Sequence, residues 1–340
     1  MEPELIIRKE GRAGRLTLNR PKALNALTHH ICLETTKALL AWRDDPEVAL
    51  VILDGAGERA FCAGGDIAQV HAAGKAGDYA MGRDFWRDEY AMNVLLATYP
   101  KPIVSFLNGF VMGGGVGYGC HIPHRVVGES TQMAMPECGI GMIPDVGGTY
   151  LLGKAPGQLG LYLALTAARM GPGDAIHAGF ANRFIPEAEW DEVKARLCEA
   201  GDVIALPEHY TPESPLAAEQ SLIDTMFAGA DIPAIVTALE NSDAPLAQSA
   251  LKAIRRNSPL SMASTLAMLR PAPTNIEAAL AQEFRWVWRT VEHGDFLEGV
   301  RAQILDKDRN PTWKHPAPDA VRDEEVAAML APLGADELTF

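Results

Sequence analysis

The chain has 340 residues, enough to bury a substantial core, and its 48% hydrophobic and 22% charged composition excludes a largely disordered protein. Thirty basic against 44 acidic residues give a formal charge of −14, which argues against bulk binding to nucleic acid or to an anionic membrane and leaves a small molecule as the expected partner. Five cysteines with no CxxC pair and no regular spacing support neither a disulfide framework nor a zinc site, and fit a reducing cytoplasm.

The N-terminus, MEPELIIRKEGRAG, begins acidic and has no apolar h-region, and no later run reaches about eighteen uninterrupted apolar residues, so neither export nor a membrane anchor is expected. RLTLNRP (15–21) alternates like a short strand and stops at a proline; ALNALTHHICLETTKALLAWRDD (23–45) then carries apolar residues at helical spacing. VALVILDGAG (48–57) is a continuous β-rich run ending at glycine, the pattern of a buried strand. KPIVSFLNG (101–109), HRVVGES (124–130) and TQMAMPE (131–137) repeat a short strand feeding a loop or helix. Residues 1–200 therefore read as an α/β core. Beyond about residue 200 strand signals fade, helical patterns dominate and PESP, NSP and RPAP punctuate them, so 201–340 reads as a helical C-terminal region.

Three segments stand out chemically. In NGFVMGGGVGYG (108–119) the glycines at 113–115 open a helix, whose first N–H groups can receive a developing oxyanion; a tight turn packed against a strand explains the same spacing equally well. FCAGGDI (61–67) leaves a strand edge, with Asp66 more readily an N-cap than a catalyst and the Gly65 amide the more interesting group. MPECGIGMIPDVGG (135–148) places Glu137 and Asp145 on a glycine-rich segment interrupted by Pro144, so the loop itself must fix their relation. Either the two acids converge, one attacking an acyl carbon or activating water while the other orients it, or they are solvated loop acids.

Elsewhere the bland readings lead. Glu89 in RDEYAMN (87–93) lies on a helical segment and reads as surface charge, and RWVWR (285–289) reads as helix packing rather than a nucleotide stack. His29, His30, His121 and His124 have no metal spacing, and Ser105 and Ser130 lack the GxSxG elbow. The chain has neither a GxGxxG after its first strand nor a GxxxxGK[ST], so dinucleotide and P-loop assignments lack their fingerprint.

PKALNAL, VILDGAGERAFCAGGDI, KPIVSFLNGFVMGGGVG and MPECGIGMIPDVGGTYLL resemble, in order and spacing, the enoyl-CoA hydratase/isomerase or crotonase superfamily. RDEYAMN, MPECGIGMIPDVGG and the late DFLEGVRAQILDKDRNPTW resemble its 3-hydroxyisobutyryl-CoA hydrolase branch, and the similarity spans roughly residues 5 to 315. The resemblance implies a crotonase (ClpP/crotonase-like) fold of repeated ββα units with a helical C-terminal region. It also implies that the backbone amides of Gly65 and Gly114 polarise a thioester carbonyl, that Glu137 is the catalytic glutamate and Asp145 a second acid, and that Glu89 lines the substrate pocket. Coenzyme A contacts are implied for Lys22, Ala23, Leu24 and Ala63. Coenzyme A is then part of the substrate; no separate cofactor and no metal are expected, and self-association is an open expectation.

The implied activity is hydrolysis of 3-hydroxyisobutyryl-CoA, a step of valine degradation in the related enzymes, with 3-hydroxypropionyl-CoA as an additional substrate. Hydratases of the superfamily carry a second catalytic glutamate two residues after GGG, where this chain has Gly117, and usually glycine where it has Asp145. That exchange disfavours adding water to a double bond and favours hydrolysis. The alternatives are an enoyl-CoA hydratase or isomerase, and a non-catalytic acyl-CoA binding protein.

Overall fold

The computed structural model describes residues 2–340, which divide by their contacts into two non-contiguous units. The first comprises residues 2–65, 88–134 and 169–217; the second comprises 66–87, 135–168 and 218–340.

The first unit holds all the strands found among the described residues: β1 (Leu5–Glu10), β2 (Ala13–Leu18), β3 (Leu50–Gly55), β4 (Ala60–Cys62), β5 (Ile103–Leu107), β6 (Phe110–Met112), β7 (His124–Val127), β8 (Gln132–Ala134) and β9 (Arg183–Phe184). They form a six-stranded sheet in the order β1-β2-β3-β5-β7-β9 and a three-stranded sheet in the order β4-β6-β8. Only the β1–β2 pairing is antiparallel; every other strand pairing is parallel. The repeat is visible in that order: each of β3, β5 and β7 enters the larger sheet, and the strand after it, β4, β6 or β8, enters the smaller one. The burial of β3 from Leu50 to Asp54 and of β5 along its whole length follows, because strands inside a parallel sheet are covered on both faces. One face carries the helix Trp190–Ala200, whose Trp190, Val193 and Leu197 pack with Leu50, Ile52 and Phe106; the Trp190 and Phe106 rings meet edge to face at 5.3 Å.

The second unit is helical. Its helix starts follow local chemistry: Asp231, Ser258 and Asn275 each accept a hydrogen bond from a backbone amide three residues on. Pro259 follows Ser258 at the first helical position, where its missing N–H is not needed, so the NSP punctuation is a helix start. The longest helix of this unit's C-terminal stretch, Ile276–His293, turns a stripe containing Ile276, Leu280, Phe284, Trp286 and Val287 inward. Strands thus end at Phe184 along the chain, whereas the two units interleave.

Candidate active site

In the first unit, β6 ends at Met112 and Gly113 turns the chain, at φ 48, into the helix Gly114–Gly119. A Cβ on Gly115 would lie 2.2 Å from the carbonyl oxygen of Cys62, so only glycine allows the helix start to approach the end of β4. A Cβ on Gly114 would lie 3.1 Å from the Gly65 nitrogen, 2.9 Å from a Glu89 carboxylate oxygen and 3.3 Å from Leu27. The two amide-bearing glycines and Glu89 are therefore brought together. The Gly114 N–H belongs to the first turn of its helix, where amides have no intrahelical acceptor and the helix dipole favours negative charge.

Gly65 is set by a second lattice of bonds. Leu27 bridges Gly65 in parallel and donates its amide to the Gly64 carbonyl at 2.9 Å, while Ala63 donates to the Leu24 carbonyl at 3.0 Å. Leu24 and Asn25 both adopt left-handed backbone, at φ 51 and 56. Buried Asn25 holds that turn: its Oδ1 accepts from the Arg20 amide, and its Nδ2 donates to the carbonyls of Ala56 and Ala60. Lys22 and Ala23 remain exposed in the short 3-10 turn Pro21–Ala23, one residue from Leu24, so the four residues implied for coenzyme A form one surface strip.

Glu89 contradicts its reading as surface charge: it is only 2% exposed. Asp66 likewise does not cap the next helix, which spans Ala68–Lys75 with Ile67 at its N-cap position and no side-chain capping bond.

In the second unit, Glu137 opens the 3-10 turn Glu137–Ile140 and Asp145 follows in the loop before the helix Gly148–Lys154. They are 6% and 5% exposed, which removes the reading of solvated loop acids. The turn is anchored where the Ser258 amide donates to the Cys138 carbonyl at 2.9 Å and the Ser258 hydroxyl donates to Asp295 at 2.6 Å. Helix Phe296–Val300 also presses closely on it: a Cβ on Gly299 would lie 2.1 Å from the Ile140 oxygen.

A residue absent from the sequence reading completes this loop. Glu283, fully buried in the helix Ile276–His293, accepts hydrogen bonds from the Gly147 amide at 2.8 Å, the Thr149 amide at 2.9 Å and the Thr149 hydroxyl at 2.5 Å. Burial pushes its carboxyl up to about 8; the Thr149 hydroxyl opposes the rise, the charge of Asp145 adds to it, and the two amides oppose it. Its sequence signal was an acid at helical spacing within an apolar stripe, between Leu280 and Val287.

The sulfur chemistry is silent. All five cysteines are free and buried, and burial pushes the Cys62, Cys120 and Cys138 thiols up to about 12, far from a thiolate nucleophile at neutral pH. Among the described residues no group of three or more His, Cys, Asp or Glu side chains is arranged to hold a metal ion, and no helix is long and apolar enough to cross a membrane. Trp286 is fully buried and Trp288 stacks under Arg83 at 4.2 Å, as expected of packing groups.

Comparison with known proteins adds three relatives and a family. The family described as enoyl-CoA hydratase/isomerase matches residues 13–330. A Gallus gallus protein named 3-hydroxyisobutyryl-CoA hydrolase, mitochondrial, is 38% identical over 98% of this chain and 90% of its own length. A solved structure described as an enoyl-CoA hydratase from Rhodobacter sphaeroides 2.4.1 is 57% identical, with a TM-score of 0.97 over 99% of this chain and 100% of that one. Another, described as a carnitinyl-CoA dehydratase from Mycobacterium thermoresistibile, is 43% identical, with a TM-score of 0.95 over 100% and 99%.

Proposed function

The chain belongs to the enoyl-CoA hydratase/isomerase family, and from that premise we propose that it hydrolyses the thioester of 3-hydroxyisobutyryl-CoA to 3-hydroxyisobutyrate and free coenzyme A. Its fold is the crotonase fold. The observation that carries the proposal is the pair of acids on one braced loop, Glu137 and Asp145, both withdrawn from solvent, in a chain whose helix Gly114–Gly119 has Gly117 where hydratases keep a second acid.

In this reading the amides of Gly65 and Gly114 bind the thioester oxygen as its negative charge grows, stabilising the transition state more than the ground state. Glu137 acts by one of two routes. As nucleophile it forms a mixed anhydride and expels coenzyme A as thiolate, and water then cleaves the anhydride. As general base it takes a proton from water, which attacks the carbonyl directly. Asp145 holds the attacking water or the substrate's 3-hydroxyl, and Glu89 offers an acceptor to that hydroxyl. A site that hydrogen-bonds the substrate hydroxyl would discriminate strongly against an acyl group lacking it, with 3-hydroxypropionyl-CoA still accepted. The strip of Lys22, Ala23, Leu24 and Ala63 is assigned to the coenzyme A moiety, which arrives with the substrate; no other cofactor and no metal enter the scheme.

The descriptions of the two solved structures favour a second reading, hydration of a short-chain enoyl-CoA. Free-thiol release from 3-hydroxyisobutyryl-CoA, run beside loss of the crotonyl-CoA double-bond absorbance, separates them. Thiol release without hydration supports the proposal; hydration without thiol release replaces it; tight binding of both esters with no turnover would leave an acyl-CoA binding protein. Placement in the cytoplasm completes the proposal: five buried free cysteines suit a reducing compartment, while the Gallus gallus relative is named mitochondrial.

A further inference from the structure

Asp145 is followed by Val146 at φ 53 and Gly147 at φ 77, two consecutive left-handed residues. A β-branched residue in that region is an outlier that survives only where its surroundings over-determine it. The helix it leads into, Gly148–Lys154, has Gly147 at its N-cap, a residue with no side chain to satisfy the first amides. Glu283 supplies what the N-cap lacks. One carboxylate oxygen takes the Gly147 amide, and the other takes both the amide and the hydroxyl of Thr149. The neighbouring Gln282 also donates to the Thr149 hydroxyl oxygen at 3.4 Å and to the Met268 carbonyl at 3.3 Å. The same helix reaches the other side of the loop, where the Thr290 hydroxyl donates to the Gly141 carbonyl at 3.4 Å.

A buried acid is an expensive way to hold a turn, since a hydrophobic side chain fills the space without desolvating a polar group. Its three donors all lie within four residues of Asp145, whose charge in turn acts on it. We propose that Glu283 is a positioning residue for the reaction: acting as a remote cap on residues 147–149, it fixes the left-handed turn that aims Asp145. The inference rests on the thioester-hydrolase reading for its kinetic consequence but not for its structural one.

The test is Glu283→Gln, which keeps the side chain's size but turns an N–H₂ group toward an N–H or O–H donor. Two readouts are taken on the full chain: amide hydrogen exchange across residues 145–152, and kcat and KM for thiol release from 3-hydroxyisobutyryl-CoA. The expected result is faster exchange confined to that segment, with kcat lowered about 10- to 100-fold and KM changed less than about 3-fold, as for a misplaced group rather than lost binding. Unchanged exchange, or loosened exchange with unchanged kcat, would overturn the inference. If Glu283→Gln does not fold, Thr149→Val removes one of the three donors and should move both readouts in the same direction by a smaller factor; no movement in either would overturn it. Absence of thiol release by the unsubstituted protein would instead defeat the hydrolase reading, and exchange alone would then decide the role of Glu283.

Discussion

The space a side chain would occupy on Gly114 ends 3.1 Å from the amide nitrogen of Gly65. Two segments far apart in sequence thereby present their backbones to one small volume, and nothing larger than hydrogen fits on Gly114 without entering it. Gly114→Ala should fold, because its tightest neighbour is the mobile end of the Glu89 side chain at 2.9 Å. It should also lower kcat for thioester hydrolysis by about 10²- to 10³-fold, the usual effect of spoiling an oxyanion-binding donor. Circular dichroism and thiol-release kinetics on the same preparation check both halves.

Glu89 stands beside those amides, buried, and its role is assigned to the substrate hydroxyl. Glu89→Gln should therefore change selectivity more than turnover of the poorer substrate. The ratio of kcat/KM for 3-hydroxyisobutyryl-CoA to that for isobutyryl-CoA should fall at least about 10-fold. Competition between the two esters measures that ratio directly.

Asn25 ties Arg20, Ala56 and Ala60 together beneath the strip assigned to coenzyme A. Asn25→Ala should destabilise the protein by about 2 to 4 kcal/mol, because it leaves buried backbone groups without partners. KM should rise for the coenzyme A ester but not for the corresponding N-acetylcysteamine thioester, which lacks the nucleotide. Urea denaturation and paired kinetics are the measurements.

Asp54 offers a pH test of stability. It is buried; burial raises its carboxyl, but Lys194, the Thr17 hydroxyl and Arg15 outweigh that and hold it below the ordinary carboxylate range. Arg15 and Lys194 approach the same oxygen at 2.8 and 3.2 Å, and Thr17 donates to the other at 2.5 Å. A folded value below the unfolded value of about 3.9 gives stability that is present above that pH and lost as pH falls through the folded value. Its contribution to the slope is at most about 1.4 kcal/mol per pH unit. Denaturation midpoints taken between pH 2 and 6 should show this acid slope in the unsubstituted protein and a shallower one in Asp54→Asn.

Much of this was legible in the chain. The glycines at 113–115 did open a helix, the β-rich run at 48–57 holds the buried strand β3, the short strand expected within 101–109 is β5, and NSP does fall between two helices, because each of these is set by local sterics or by a two-sided burial pattern. What was missed depended on which face of a helix is covered. Glu89 is an acid among other acids and bases, and only its spacing from Phe85 and Asn93, four residues either way and both buried, marked the inward face. Glu283 was hidden in the same way inside a segment read for its tryptophans. Asp66 failed as a cap because the helix begins at Ala68, one residue too late for it. The interleaving of the two units along the chain has no local signature at all, since it is made by contacts between segments that other segments separate in sequence.

The central claim is that Glu137 carries thioester hydrolysis. The most direct measurement is free-thiol release from 3-hydroxyisobutyryl-CoA by the unsubstituted protein and by Glu137→Gln, with circular dichroism confirming that both are folded. The account predicts rapid release by the former and a loss of at least about 10³-fold in the latter. Equal release by both folded proteins would contradict it.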